Sequence, residues 1–275
     1  MAASRPGAGR AGSPTRQFAL PHRGWLLDLD GTVYLGDALI PGAAETVAAL
    51  RAAARRVAFL SNKPLQSRAE YADKLARLGI PAGADDVVNS SVALVRHLGR
   101  LDPGAPVFVI GEAPLVDELR AAGFETRADA RVRWVVIAFD RTFDYAKLDV
   151  ALQAVTRHGA RLIATNPDRT CPVAGREIPD CAGMIAAVEA VTDRRVEIVV
   201  GKPSPIILRE ALAVLGLPAG ECVIVGDRLD TDIAMGKAQG LGTILVLTGV
   251  TRAGDARIAE MAPDLVLPSI RDVVG

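Results

Sequence analysis

From residue 25 onward, short apolar runs alternate with longer stretches in which apolar and polar residues recur at helical spacing. The short runs have the length and the Leu, Val and Ile content of buried strands, whereas the longer, Ala- and Arg-rich stretches are typical of helices. Glycine follows several of these stretches and is a common helix stop. The pattern predicts strands at 25–29, 57–61, 107–110, 134–139, 161–164, 197–200, 222–226 and 243–247, and helices at 42–54, 66–78, 91–100, 113–122, 146–158, 182–191, 204–215 and 231–239.

Alternation of strands and helices is typical of an α/β architecture, in which crossover helices join parallel strands. We therefore predict a Rossmann-like, doubly wound parallel sheet as the core. Between Ser61 and Lys202 lie 140 residues with strands and helices of their own, far more than one crossover requires. This interval predicts an inserted, smaller α/β cap domain. The predicted order is a disordered tail at 1–20, the first part of the core at 21–82, the cap at 83–195 and the second part of the core at 196–275.

The composition narrows the possible function classes. Lys and Arg total 32, as do Asp and Glu, so no net field favours nucleic acid or an anionic membrane surface. No apolar stretch approaches the ~18–20 residues needed to span a bilayer, and the start of the chain lacks the apolar region of a secretory signal peptide. The three cysteines offer no disulfide framework. We therefore expect a cytoplasmic protein that binds neither nucleic acid nor membranes.

Two aspartates, Asp28 and Asp30, end the apolar run that begins at Trp25. Residues i and i+2 of a strand project from the same face, so both carboxylates point to one place. Gly31 follows them and allows the backbone to approach a ligand closely. Paired carboxylates at a strand end are suited to nucleophilic attack, proton transfer and metal binding.

Three further predicted strand ends carry groups of complementary chemistry. Ser61 and Asn62 offer a hydroxyl and an amide, Lys202 offers an ammonium group, and Asp227 offers a carboxylate. Ligands of open α/β sheets bind outside the carboxyl ends of the strands. We therefore expect these groups to meet the paired aspartates in one crevice.

The combined set fits a phosphoryl-transfer site. In this interpretation Asp28 attacks phosphorus to form an aspartyl-phosphate, which divides one difficult displacement into two. Asp30 protonates the leaving alcohol and later takes a proton from the attacking water. Carboxylates such as Asp227 select the hard cation Mg²⁺. The predicted phosphate-binding residues are Gly31, Ser61, Asn62 and Lys202.

These residues resemble the four motifs of the haloacid dehalogenase superfamily of aspartate-nucleophile phosphatases. The DxDGT motif stands here as residues 28–32, the strand-end Ser or Thr as Ser61, the lysine as Lys202, and GDxxxxD as residues 226–232. The insertion between the second and third motifs resembles the C2-type cap of the nitrophenyl-phosphatase-like subclass, subclass IIA. One departure is Lys63, because many relatives carry Thr-Asn-Asn where this chain has Ser-Asn-Lys.

The resemblance implies a phosphatase whose Mg²⁺ is held by Asp28, the Asp30 backbone carbonyl and Asp227, with Asp232 acting through water. It also implies small phosphorylated metabolites as substrates, namely sugar or polyol phosphates, and it allows a homo-oligomer formed through the cap. The cap loop at 166–181 supplies candidate contacts with the leaving group. These candidates are Asn166, Asp168, Arg169 and Arg176.

Two alternatives remain open at this point. A phosphotransferase or mutase of the same superfamily would pass the phosphoryl group to a sugar hydroxyl instead of releasing inorganic phosphate. A non-catalytic phospho-accepting or binding module belongs to a different class of protein. A phospho-accepting regulator needs neither a second carboxylate for proton transfer nor a cap, and this sequence has the first and predicts the second.

Overall fold

The structure is a computed structural model that describes residues 19–173 and 175–274. The tail predicted at 1–20 lies outside the described residues except for its last two positions. Ala19 and Leu20 pack against the apolar core of the larger sheet. The Ala19 N–H donates to the Val273 carbonyl over 2.9 Å, which joins the beginning of the described chain to its end.

The strands and helices alternate along the chain, as the hydrophobic pattern predicts. The strands are β1 (Gly24–Asp28), β2 (Tyr34–Leu35), β3 (Ala38–Leu39), β4 (Arg56–Ser61), β5 (Val87–Asn89), β6 (Pro106–Ile110), β7 (Glu125–Thr126), β8 (Trp134–Ile137), β9 (Arg161–Ala164), β10 (Thr170–Val173), β11 (Arg176–Pro179), β12 (Ile198–Val199), β13 (Cys222–Gly226), β14 (Gly242–Val246) and β15 (Leu265–Leu267). The helices are α1 (Ala43–Ala52), α2 (Arg68–Arg77), α3 (Ser90–Leu101), α4 (Ala113–Ala121), α5 (Tyr145–His158), α6 (Cys181–Thr192), α7 (Pro205–Leu215), α8 (Ala234–Gln239) and α9 (Arg257–Met261).

Two parallel sheets organise these elements. The larger sheet has the order β15-β14-β13-β1-β4-β5, and the smaller sheet has the order β12-β9-β8-β6-β7. Every strand pair in both sheets is parallel. The order of the larger sheet reverses beside β1, between β13 and β4, and such a switch point is where open α/β sheets bind ligands. The predicted doubly wound core with a second α/β unit is confirmed.

The change from one sheet to the other occurs at different residues from those expected. The cap is predicted to begin at 83, but β5 pairs with β4 in the larger sheet, so the smaller sheet first appears at β6. The predicted bounds place the strand at 197–200 in the core, yet β12 pairs with β9 in the smaller sheet. Backbone bonds from Val200 to Ala164 and from Gly201 to Thr165 extend that pairing to the edge of the site.

A two-stranded hairpin, β10–β11, projects from the smaller sheet towards the larger one. Its strands are antiparallel and pair Thr170 with Pro179 and Val173 with Arg176. Arg228, which follows β13, donates from Nη2 to the Thr170 carbonyl over 2.8 Å. The hairpin therefore lies over the carboxyl end of the larger sheet. Within the described residues, no helix combines the length and apolarity that crossing a bilayer requires.

Candidate active site

Three buried carboxylates converge at the switch point of the larger sheet. Asp28 ends β1, Asp227 follows β13, and Asp232 lies in a π-helical turn, Leu229–Ile233, that leads into α8. One oxygen from each carboxylate lies within 4.8 Å of the other two. Each residue is at most 6 % exposed. The strand ends thus bring Asp227 to Asp28, as predicted from their positions, and the third member of the cluster is Asp232, which only the family resemblance had indicated.

Glycines make room for these carboxylates. A Cβ on Gly31, whose φ is +93°, would lie 2.6 Å from Asp227 Oδ2, and a Cβ on Gly249 would overlap the same carboxyl group. A Cβ on Gly226 would likewise overlap Asp232. The Val250 N–H donates to Asp227 Oδ2 over 2.5 Å and fixes the orientation of that carboxyl group. The acidic cluster is therefore tightly confined by backbone.

Lys202 supplies a cation inside the acidic cluster. Its Nζ lies 2.5 Å from Asp28 Oδ1 and 2.7 Å from Asp232 Oδ1. Burial alone would lower the pKa of Lys202, but the charges of Asp232 and Asp28 outweigh it and raise that pKa above its ordinary value. Lys202 is therefore ammonium at neutral pH and holds both carboxylates in place.

The three carboxyl groups of the cluster outnumber its single lysine. Burial, and then the charges of its acidic neighbours, raises the pKa of Asp227 well above the ordinary value. Burial also raises the pKa of Asp232, although Lys202 opposes this shift. Asp28 Oδ2 and Asp227 Oδ1 are buried and have no hydrogen-bond partner among residues 19–173 and 175–274. Buried oxygens of this kind fit a small hard cation such as Mg²⁺.

Ser61 and Asn62 lie at the end of β4, beside the acidic cluster. Ser61 Oγ accepts a hydrogen bond from the Lys63 N–H over 3.2 Å. Asn62 Oδ1 accepts from the Lys202 N–H over 2.7 Å, and Asn62 Nδ2 donates to the Lys202 carbonyl over 3.2 Å. These bonds join the loop after β4 to the loop after β12, so the two sheets share one wall of the site.

Asp30 faces Lys63, the residue at which the chain departs from the common second motif. Lys63 Nζ lies 2.7 Å from Asp30 Oδ1, and both side chains are less than one-fifth exposed. Burial lowers the pKa of Lys63, but the charges of and hydrogen bonds to Asp30 and Cys171 together outweigh it and raise that pKa. Asp30, the residue expected to transfer protons, therefore has the cation of Lys63 as its neighbour beside the acidic cluster.

Two adjoining cavities meet at this pair. The inner one, of about 30 Å³, is lined by residues from both sheets. The outer cleft, of about 520 Å³, is bounded on one side by the β10–β11 hairpin. Both cavities are lined by Asp30, Lys63 and Pro172. The inner lining consists of Asp28, Asp30, Ser61, Asn62, Lys63, Asp168, Pro172, Asp180, Lys202, Arg228 and Thr231.

The four cap residues predicted to contact the leaving group fall into two pairs. Asn166 and Asp168 are buried near the inner cavity, where Asn166 Nδ2 donates to Asp168 Oδ2 over 3.1 Å. Arg169 and Arg176 are exposed at the hairpin and are not part of either lining. The structure therefore does not bring those two arginines together with the acidic cluster.

Arg228 and Asp180 are among the lining residues that were absent from the predicted site. Arg228 directly follows Asp227, and this position at a strand end was the signal that could have identified it. Asp180 is the N-cap of α6, and its Oδ1 accepts from the Cys181 N–H and from Asn166 Nδ2 over 2.6 and 3.0 Å. Burial, followed by the charge of Asp168, raises the pKa of Asp180 to about 6.

Comparison with known proteins gives two family matches. Residues 25–125 match the model for haloacid dehalogenase-like hydrolases, and residues 199–273 match a related haloacid dehalogenase-hydrolase-like model. The sugar-phosphatase AraL of Bacillus subtilis is 43% identical over 91% of this chain and 91% of its own length. The human glycerol-3-phosphate phosphatase is 35% identical over 90% of this chain and 89% of its own length.

Solved structures agree with these matches. The p-nitrophenyl phosphatase from Archaeoglobus fulgidus has a TM-score of 0.85 and 38% identity, covering 91% of this chain and 97% of its own. NagD from Escherichia coli has a TM-score of 0.82 and 33% identity, covering 92% and 98%. The chain therefore belongs to the haloacid dehalogenase-like hydrolases, in their NagD-like subclass IIA, and is a phosphatase of that family.

Proposed function

We propose that this phosphatase is a Mg²⁺-dependent phosphomonoesterase that hydrolyses sugar or polyol phosphates through an aspartyl-phosphate on Asp28. The observation that carries the proposal is the buried Asp28 carboxylate, which is held by Lys202 and lies beside Asp227 and Asp232. A buried carboxylate that a lysine holds in one orientation is positioned for attack on an electrophile.

The donor set at the switch point suits Mg²⁺. Asp28 and Asp227 would hold the ion directly with the Asp30 backbone carbonyl, and Asp232 would act through water. Bound Mg²⁺ supplies positive charge that offsets the negative charge of the carboxylates and of the phosphate oxygens. The buried oxygens of Asp28 and Asp227 that lack hydrogen-bond partners support this assignment.

The side chains of this protein account for the covalent steps. A carboxylate oxygen of Asp28 attacks phosphorus, forming a P–O bond as the bond to the leaving oxygen breaks, and Asp30 gives that oxygen a proton. Asp30 then removes a proton from water, which attacks phosphorus and releases inorganic phosphate from Asp28. Lys202 stabilises the negative charge that develops on the phosphoryl oxygens.

The outer cleft supports a small polar leaving group. Its volume of about 520 Å³ exceeds that of the inner cavity, and it opens beside Asp30, the residue proposed to protonate the leaving oxygen. Its lining includes the charged side chains of Asp37, Lys74 and Arg141. It also includes Tyr34, which carries a hydroxyl group. Hydroxyl groups of a sugar or polyol match such a lining, and the names of two relatives refer to substrates of this class.

A cytoplasmic setting fits the proposal. Cys171, Cys181 and Cys222 are buried and free, and thiols of this kind remain reduced in that compartment.

The experiment is phosphate release from a panel of sugar, polyol, nucleotide and vitamin phosphates, with Mg²⁺ and with excess chelator. We expect release that requires Mg²⁺ and is fastest on sugar or polyol phosphates, and Asp28→Asn is expected to lower it at least ~10³-fold. A parallel reaction contains an unphosphorylated sugar as acceptor. Transfer to that sugar in place of phosphate release would favour the phosphotransferase, and full activity of Asp28→Asn would refute the mechanism.

A further inference from the structure

A buried polar network joins the smaller sheet to the phosphate-binding loops, and Asp168 is its centre. Asp168 is 8 % exposed and lies in the loop between β9 and β10. Its Oδ2 accepts from Asn62 Nδ2 and from Asn166 Nδ2, each over 3.1 Å. A carboxylate that accepts two side-chain amides at once is held in one orientation, and it reaches across from one sheet to the other.

The second oxygen of this carboxylate faces Arg228. Asp168 Oδ1 is buried, lies 3.9 Å from Arg228 Nη1 and accepts no hydrogen bond within the described parts of the chain. Arg228 Nη2 donates to the Thr170 carbonyl over 2.8 Å. The guanidinium group thus contacts the beginning of the hairpin and faces the carboxylate two residues before it.

Asn62 connects this network to the nucleophile. The amide that donates to Asp168 also bonds the Lys202 backbone, through both its oxygen and its nitrogen. Lys202 in turn places its Nζ 2.5 Å from Asp28. Displacing Asp168 therefore frees the amide that positions the backbone of Lys202. Partners of this kind, one step away from the reacting groups, are costly to remove.

We propose that Asp168 is a positioning residue, which holds Asn62 and Arg228 in place. The phosphate pocket formed by Ser61, Asn62 and Lys202 is then complete only when the β10–β11 hairpin packs against the larger sheet. This assignment rests on the proposed phosphatase function and replaces the expectation that Asp168 contacts the leaving group. Both of its oxygens face protein groups, two amides on one side and a guanidinium group on the other.

Two substitutions separate the parts of this role. Asp168→Asn keeps an acceptor for Asn62 but removes the charge opposite Arg228, whereas Asp168→Ala removes both. We expect kcat/KM on p-nitrophenyl phosphate with saturating Mg²⁺ to fall about 3–10-fold in the first variant and about 10–100-fold in the second. Glu177→Gln, which neutralises an exposed carboxylate on the same hairpin, is expected to leave kcat/KM within a factor of two of wild type.

Hydrogen exchange and a double variant distinguish positioning from loss of folding. The Ala182 N–H donates to the Asp168 carbonyl, and the Asp180 N–H donates to the Arg169 carbonyl. We expect these amides to exchange faster in Asp168→Ala while the strands of the larger sheet keep wild-type protection. Because the two charged groups act through each other, Asp168→Asn combined with Arg228→Gln is expected to lose no more activity than Arg228→Gln alone.

The outcomes separate the two proposals. Wild-type protein that hydrolyses no phosphomonoester overturns the proposed function itself. Active wild type with unchanged kinetics in Asp168→Ala overturns only the positioning role. The positioning role is also overturned if Asp168→Asn and Arg228→Gln lower kcat/KM by factors that simply multiply in the double variant. It is likewise overturned if the activity loss matches the unfolded fraction measured by circular dichroism. If Asp168→Ala does not fold, Asp168→Asn and the double variant decide the question.

Discussion

At the scale of single residues, the acidic cluster holds more carboxyl groups than cations. Three carboxylates, Asp28, Asp227 and Asp232, surround one ammonium group, that of Lys202, in a space closed to solvent. Such an arrangement is costly unless another cation joins it. Burial, followed by the charges of its acidic neighbours, raises the pKa of Asp227 well above its ordinary value in this setting.

This imbalance predicts that Mg²⁺ stabilises the folded protein. A ligand that binds only the folded state at a hundredfold excess over its dissociation constant adds about 2.7 kcal/mol to the free energy of unfolding. We expect Mg²⁺ to raise the thermal midpoint of wild type, excess chelator to reverse the increase, and Asp227→Asn to abolish it. Asp230→Asn, which changes an exposed acid in the same turn, serves as the control and keeps the increase. An equal increase in Asp227→Asn would contradict the metal assignment.

A second residue-scale prediction concerns Asp180, whose pKa is raised from 3.8 to about 6. Because the folded state retains the proton in this range, the wild-type free energy of unfolding falls as the pH rises through it. Asp180→Asn cannot titrate and keeps an acceptor for Asn166 and for the Cys181 N–H. We expect the variant to be more stable than wild type by about 1–3 kcal/mol at pH 8, with the difference vanishing towards pH 4.

Urea denaturation at several pH values measures this effect. The control is Asp144→Asn, since Asp144 is also the N-cap of a helix but is exposed. We expect its difference from wild type to be small at every pH. A stability difference in Asp180→Asn that does not change between pH 4 and pH 8 would rule out a buried, ionised Asp180.

At the scale of elements, the content of apolar residues decided what the sequence could predict. All eight predicted strands and all eight predicted helices overlap observed ones, because each has enough apolar residues to show a period. The hairpin β10–β11 went unpredicted, since Pro172 and Pro179 lie within its strands and are typical of loops. Without the hairpin, Arg169 and Arg176 were indistinguishable from pocket residues, and the partners of Asp168 could not be foreseen.

The contact between α3 and α7 supports a prediction at this scale. Glu210 on α7 has a side chain only 6 % exposed and pairs with Arg96 and Arg100 of α3 over 2.9 and 2.6 Å. Burial alone would raise the pKa of Glu210, but its hydrogen bonds to the two arginines and their charges outweigh it and lower the pKa. We expect Glu210→Gln to reduce the free energy of unfolding by about 1–3 kcal/mol at pH 7.

The pH dependence of this contact follows from the lowered pKa. The stabilisation is complete above the ordinary value of 4.5 and is lost as the pH falls through the lower folded value, so wild type and variant converge in acid. Denaturant titrations at pH 7 and below pH 4 measure the convergence. Glu118→Gln is the control, because burial raises the pKa of Glu118 and its replacement is expected to cost no stability at pH 7. Equal losses in both variants would argue against the ion pairs.

At the scale of the whole molecule, the site belongs to two sheets at once. Three strand ends of the larger sheet supply Asp28, Ser61 and Asp227, as the sequence predicts from their spacing. The fourth, before Lys202, belongs to the smaller sheet, and hydrophobic periodicity cannot reveal which sheet a two-residue strand joins. The proposed phosphate pocket therefore depends on how the inserted unit packs against the larger sheet, whereas the acidic cluster is built mostly from the larger sheet.

The central claim is that Asp28 becomes phosphorylated, and burst kinetics of Asp30→Asn on p-nitrophenyl phosphate test it most directly. Nitrophenolate leaves without protonation, so this variant is expected to phosphorylate Asp28 at nearly the normal rate but to activate water slowly. We expect about one nitrophenolate per protein in the burst, and acid-quenched protein carrying a hydroxylamine-sensitive phosphoryl group on the peptide that contains Asp28. Absence of a burst, or a phosphoryl group that remains in the Asp28→Asn/Asp30→Asn double variant, would contradict the account.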